Sequence, residues 1–457
     1  MSLGLEGRLP RGALFALLGV LLAILAITLP ELGTDPWPFR PGAVEPRGPL
    51  APLVRAAGEE WDVGIARSAC LLAALAVALY GAAALRRRDS PAWAGAALAL
   101  AVALALLLPS TLLQLGLREA SAPWFYTNDS TYQIEIAGDL LLDGRNPYGH
   151  DYRFSGMERF YSFDGSASQA VREREVSLEH YAYFPGTAIV AAGWRLLPRP
   201  FDDFRLFVVL MTLVGFLAAL AFRAPLGWRL VVGALVVANP IAVRSAWFGQ
   251  NDAPSIVLMV LAFALVSRDR PRWAAASLAA AVLLKQFAVV AIPFLALMLL
   301  ARGLSRLELR RCASIFGAVV AAGVLPFLIA DPVAFYEDTV KFGAGTYRIV
   351  GYGLSGLLLR LGILDDREGS YPFVIVAVLT WLPLTAWLLV QQHRARELWV
   401  GAAAFSISIL VLLFIGRTFN NYYLVWPMAG AAIAGLLYAG ERREGDVGLS
   451  APQAGRA

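Results

Sequence analysis

Two short acidic runs in this 457-residue chain carry the side chains best suited to acid–base chemistry: Asn128-Asp129-Ser130 and Gln250-Asn251-Asp252. A carboxylate at the edge of a partly dry cavity has its charged form disfavoured, which suits it to take a proton from a hydroxyl. Both runs also meet a plainer need, because Asn, Asp and Ser are preferred caps for a following helix. Spacing alone leaves both readings open. Lys285 is a third candidate, set within a long apolar stretch where an ammonium must pair, snorkel to the interface or line a polar cavity. His180, Lys341, Arg348 and Arg417 form a cationic group in polar segments between apolar blocks. Arginine's planar fork suits phosphate, although an interfacial arginine is equally at home as a membrane anchor. A lone loop histidine such as His180 is just as readily a solvated one.

The elements that must hold these residues are apolar. Hydrophobic residues make up 58% of the chain and charged residues 16%, where soluble domains average about 45–50% and about 25%. The excess is gathered at 12–30, 65–85, 93–115, 206–222, 229–247, 254–267, 272–284, 287–301, 310–330, 371–391, 397–415 and 419–439. Most of these match the roughly 17–25 residues that cross a hydrocarbon core, which predicts about twelve spans. Lipid cannot satisfy bare backbone, so the fold class is all-α, a polytopic bundle. The first block begins like a signal peptide, but Leu29-Pro30-Glu31 is a poor cleavage site and the block is taken as a span. Cys70 and Cys312 fall inside apolar blocks, which gives neither a disulfide framework nor metal-ligand spacing. The net charge of +5 sits largely in short loops, where it fixes topology and calls for no nucleic-acid partner.

Arg86-Arg87-Arg88, Arg223, Arg229, Arg268, Arg270, Arg272, the run Arg302 to Arg311, Arg394, Arg396, Arg442 and Arg443 place their loops in the cytoplasm. Loops 116–205, 248–253, 331–370 and 416–420 then lie together outside, provided that 185–197 stays at the surface. If that run crosses, and 272–301 is one helix, Gln250 to Asp252 move to the cytoplasm. Within the first outer loop, Thr131, Glu135 and Asp139 share a helical face opposite Ile134, Ala137 and Leu141, which predicts a short amphipathic helix on the membrane surface. Gly144-Arg145-Asn146-Pro147-Tyr148 ends it. Residues 152–179 are polar and read as a surface loop. The chain thus divides into a pair of extra spans (1–92), a catalytic membrane module (93–440) and a disordered cytoplasmic tail (441–457).

The order of the motifs resembles the multi-spanning GT-C glycosyltransferases, and most closely the polyprenyl-phosphate-mannose-dependent α-1,2-mannosyltransferases. The likeness runs over roughly 93–439. It rests on Asn128-Asp129 followed by Gly144-Arg145-Asn146-Pro147-Tyr148, on Tyr181-Ala182-Tyr183-Phe184-Pro185, on Gly249-Gln250-Asn251-Asp252 with Lys285 after it, and on Asn421-Tyr422-Tyr423-Leu424. The two leading spans and the charged segment 150–180 depart from the family's pattern. The resemblance implies Asp129 as catalytic base in an outer loop and Asp252 as the second acidic position. Asn128, Gln250, Asn251, Tyr183 and Asn421 fall with them in the substrate-binding motifs.

A polyprenyl-phosphate sugar is itself a membrane component, so a bundle can take it laterally without a nucleotide-binding domain. Asp129 would deprotonate an acceptor hydroxyl on a lipid, glycan or polymer. Arg417, Lys341, Arg348, Lys285 and His180 would hold the leaving phosphate. One base in a single displacement implies inversion, with mannose as the sugar the family suggests. No cofactor is expected, and no essential metal, since no ligand spacing is visible. A transporter or lipid flippase would explain the spans and the buried charge equally well, but predicts acidic residues in span interiors and paired broken helices.

Overall fold

The computed structural model describes residues 3–32, 45–49, 51–52, 55, 64–86, 89–120, 127–160, 178–367 and 369–449. Phe125, Tyr126 and most of the polar segment 152–179 lie outside the described residues.

Every apolar block named above falls on helix. Among the described residues, six helices are long and apolar enough to cross a membrane: Arg11–Thr28, Gly64–Leu85, Ala92–Ala120, Arg306–Ala330, Phe373–Ala395 and Asn421–Arg442. Leu226–Val237 and Ile241–Phe248 qualify together as one span bent by 45°. The bend falls at Asn239-Pro240, where Pro240 cannot donate and Asn239 caps the second helix through Ala242 N–H. The remaining blocks form shorter apolar helices: Phe204–Leu220, Asp252–Ser267, Pro271–Leu284, Gln286–Ala301 and Leu398–Phe414. A helix of sixteen or seventeen residues reaches only about 25 Å against a core of about 30 Å. Six or seven helices therefore meet the length and composition test, fewer than the twelve blocks.

Residues 272–301 do not form one long helix. Pro271–Leu284 ends at Lys285, which is extended at φ −154° and ψ 121°, and a 3₁₀ turn over Gln286–Val290 starts the next segment. The chain thereby delivers Lys285 from a break between helices. At the other end, the last helix continues to Leu449, past position 441 where the disordered tail was expected to begin; residues 450–457 lie outside the described set.

Buried side chains gather in three clusters. One joins the 204–220, 252–267, 271–284, 291–301 and 398–449 helices. A second holds the two leading helices against Ala92–Ala120 and the bent pair. The third lies under the 127–160 segment, where Tyr148 packs between Phe327 and Phe335 with ring centroids 5.6 Å and 4.8 Å away. This cluster seats the Asp129–Leu142 helix on the ten-residue Pro185–Trp194 helix, itself too short to span. Gly138 permits the approach, since a Cβ there would sit 2.8 Å from the backbone nitrogen of Ala192.

The Asp129–Leu142 helix is amphipathic as expected, but its polar face is not the wet one. Thr131 and Glu135 are buried, and Asp139 pairs with Arg195 at 2.9 Å. Glu135 accepts from Arg118 Nη2 at 2.5 Å and from the Phe204 N–H at 2.8 Å. Arg118 also binds Asp203 at 2.6 Å, and Asp203 binds Arg205 at 2.8 Å. Burial alone would raise the Asp203 carboxyl, but Arg205 and Arg118 hold it well below the usual carboxylate range. The stability this lends is full above an unfolded value of about 3.9 and fades only as pH falls through the lower folded value, so the network persists at neutral pH.

Candidate active site

Asp129 opens its helix, yet the cap is its neighbour. The Asn128 side chain accepts from Ser130 N–H at 2.9 Å, the bond expected of an N-cap, and Asp129 Oδ1 accepts from the same N–H at 2.8 Å. Asp252 likewise opens a helix whose N-cap, Asn251, makes no side-chain capping bond. Asp252 turns instead to tertiary partners. Its Oδ1 accepts from Trp426 Nε1–H at 2.9 Å and lies 3.6 Å from Lys285 Nζ. Lys285 Nζ donates to Asn251 Oδ1 at 3.2 Å and sits 4.9 Å above the Tyr183 ring. The buried lysine is thus paired, stacked and hydrogen-bonded at once, which is how an ammonium is kept charged away from bulk water.

These groups line one cavity of ≈ 560 Å³. Asn128, Asp129, Tyr183, Gln250, Asn251, Asp252 and Lys285 all face it, so two acidic runs more than a hundred residues apart converge. Tyr422 lines the same cavity and interacts electrostatically with both Asp252 and Asp129. Burial, reinforced by the Asp129 carboxylate, pushes the Tyr183 phenol well above its ordinary value, so it remains a hydrogen-bond donor. Apolar side chains, among them Val289, Val290, Phe373, Leu412 and Leu413, share the lining with these polar groups.

His180 also lines the cavity, and its position is set by a residue the sequence did not single out. Asp338, buried, faces His180 Nδ1 at 2.7 Å. The same carboxylate accepts from the Gly149 and Tyr181 N–H groups at 2.9 Å and 3.2 Å. A carboxylate accepts, so His180 donates to Asp338 from Nδ1 and the ring is held in place with Nε2 on its other side. Trp426 was missed as well. Both sit in unremarkable surroundings in the chain, Asp338 beside other loop charges and Trp426 within a span.

The cationic group divides. Arg417 lines the cavity, but its guanidinium donates to backbone carbonyls of Tyr347, Arg367 and Gly369, the last two at 3.4 Å and 3.1 Å. Together with the parallel pairing of Val350–Gly351 and Thr418–Phe419, it clasps the 331–370 segment to the start of the last helix. The side chain thus holds this loop as well as lining the cavity. Lys341 is committed to Glu337 at 2.7 Å on the exposed surface, and neither it nor Arg348 lines the cavity. Asn421 is exposed, outside the lining, and accepts from Arg244 at 3.4 Å. Among the described residues, no three His, Cys, Asp or Glu side chains group in a way that would hold a metal ion.

Fold and site together define a helical membrane bundle with a cavity lined by two carboxylates, a paired lysine and apolar side chains. The chain belongs to glycosyltransferase family 87, whose sequence model matches residues 181–416, just over half of it. This stretch contains Tyr183, Asp252, Lys285 and Asp338, and begins after Asp129. Among solved structures, the chain is similar to ArnT from Cupriavidus metallidurans bound to undecaprenyl phosphate, with 17% identity and a TM-score of 0.40. That alignment covers 68% of this chain and 56% of the ArnT chain, so this protein spans little more than half of that relative's length. No curated protein sequence matches it. Family membership and six or seven helices of spanning length and composition among the described residues together make it a multi-pass membrane protein of that family.

Proposed function

We propose that this glycosyltransferase moves a sugar, mannose by the resemblance of its motifs, from a polyprenyl-phosphate donor to an extracytoplasmic lipid, glycan or polymer. The observation that carries this reading is the shared cavity, whose lining includes Asp129, the Asp252–Lys285 pair and apolar side chains such as Val289, Phe373 and Leu413. The polar part suits a sugar phosphate and the apolar part a lipid tail. In this mechanism Asp129 takes the proton of the acceptor hydroxyl as its oxygen forms the new bond to the anomeric carbon. The bond from that carbon to the phosphate oxygen breaks, and the phosphate leaves with its electron pair. One displacement inverts the configuration.

Lys285 and His180 balance the charge that grows on the leaving phosphate. Asp252, Asn251 and Gln250 orient the sugar, with the Tyr183 hydroxyl as a further donor. Sealed vesicles test both the reaction and its side. Right-side-out vesicles should pass sugar from a lipid-linked donor to an impermeant oligosaccharide added to the medium. Inverted vesicles should do so only after permeabilisation; the opposite pattern would place the site on the cytoplasmic face.

A further inference from the structure

The polar face of the Asp129–Leu142 helix has no place in the reaction proposed above, yet Thr131 and Glu135 on it are buried and bonded. Thr131 and Glu135, one turn apart, point the same way. The Thr131 hydroxyl donates to the carbonyl of Gly249, across 118 positions of chain. Glu135 reaches the same turn by a longer route. It binds Arg118; Arg118 binds Asp203 at 2.6 Å; Asp203 binds Arg205 at 2.8 Å. The Arg205 side chain then packs on Gly249, where a Cβ would lie 2.3 Å from Arg205 Cγ. Gly249 has φ +75°, which keeps side-chain-bearing residues out of this position on a second ground. The path closes on itself, from helix to Arg118, Asp203, Arg205, Gly249, Thr131 and back to the helix.

Its two ends are close to the chemistry. Thr131 lies two residues after Asp129, and Gly249 three before Asp252. Thr131 is completely buried, and neither it nor Gly249 lines the cavity. We propose that this circuit, closed by the Thr131–Gly249 hydrogen bond, is the device that fixes the Asp129 segment against the Asp252 segment. Thr131 is its principal positioning residue. The inference rests on the transferase reading for its consequence but not for its geometry. A reacting oxygen and an anomeric carbon must meet at near-contact distance, and an error of about 1 Å in such a meeting costs up to about a hundredfold in rate. Buried ionic groups are best attested where they fix a register, and here the register is that between two carboxylate-bearing segments.

Thr131→Val keeps the shape and removes the hydroxyl, while Thr131→Ser keeps the hydroxyl and removes a methyl. In the full-length protein, Thr131→Val should lower kcat about tenfold or more, with KM for a polyprenyl-phosphate sugar within about twofold of wild type. Amide exchange over 249–252 should accelerate in the same variant. Thr131→Ser should restore both. Should Thr131→Val fail to fold, Thr131→Ala replaces it with the same expectations. Wild-type kcat in the hydroxyl-less variant, or a Thr131→Ser enzyme as slow as it, overturns the proposal. Unchanged exchange over 249–252 does so too. A wild type inactive with every lipid-linked donor, but with the exchange difference intact, sinks the transferase reading and leaves the coupling standing.

Discussion

Asp129→Asn is expected to lower sugar transfer by about 10² to 10⁴, the range that a positioned general base contributes. The substitution keeps size and hydrogen-bonding shape but cannot take a proton. The fold should survive it, because the Ser130 N–H at this helix start is also held by Asn128. Binding of the lipid-linked donor should change little, since the proposed phosphate partners, Lys285 and His180, are untouched. The signature is therefore a fall in kcat with KM for the donor nearly constant. A matching loss of donor affinity would assign Asp129 to binding, and retained turnover would remove it from the mechanism.

Lys285→Met should destabilise the protein by roughly 3 kcal/mol, at the low end of what removing one partner of a buried ion pair costs, because the cavity admits water. The reason lies with Asp252. Without the ammonium its carboxylate stays buried, with the Trp426 N–H as the remaining strong donor that the geometry shows. The double variant Lys285→Met with Asp252→Asn should recover most of the loss, since the charge without a partner is gone. It should nevertheless remain inactive, because both the phosphate partner and the sugar-orienting carboxylate are missing. Thermal unfolding of the purified protein, measured beside transfer, separates the two effects. A double variant no more stable than Lys285→Met would show that the pair is not a coupled unit.

Helices were legible in the sequence because lipid permits few solutions, and an apolar block of sufficient length has to coil. The break at Lys285 was visible too, as a charge that an uninterrupted apolar helix would not tolerate. The polar face of the Asp129–Leu142 helix was legible in its period but not in its surroundings. Thr131, Glu135 and Asp139 recur at the same spacing whether they meet water or, as here, the Gly249 carbonyl, Arg118 and Arg195. The partners come from remote segments, and no local pattern announces them. Asp338 and Trp426 were missed for the same reason, as each gains its meaning from a neighbour more than 150 positions away. Arg417 has a bond pattern that no local signal announced, since its guanidinium holds loop carbonyls from Arg367 and Gly369 besides lining the cavity. The choice between transferase and transporter was left open by spans and buried charge, and the family match supports the transferase reading.

The central claim is a single displacement on a lipid-linked donor within the Asp129–Asp252 cavity. Its most direct test supplies purified wild-type protein with labelled polyprenyl-phosphate sugars and a mixture of glycan acceptors, and reads the anomeric configuration of the product by NMR. Transfer with inversion from a polyprenyl-phosphate donor, and none from a nucleotide sugar, is the predicted result. Transfer with retention, transfer from a nucleotide sugar, or no transfer from any lipid-linked donor by well-folded protein would contradict it.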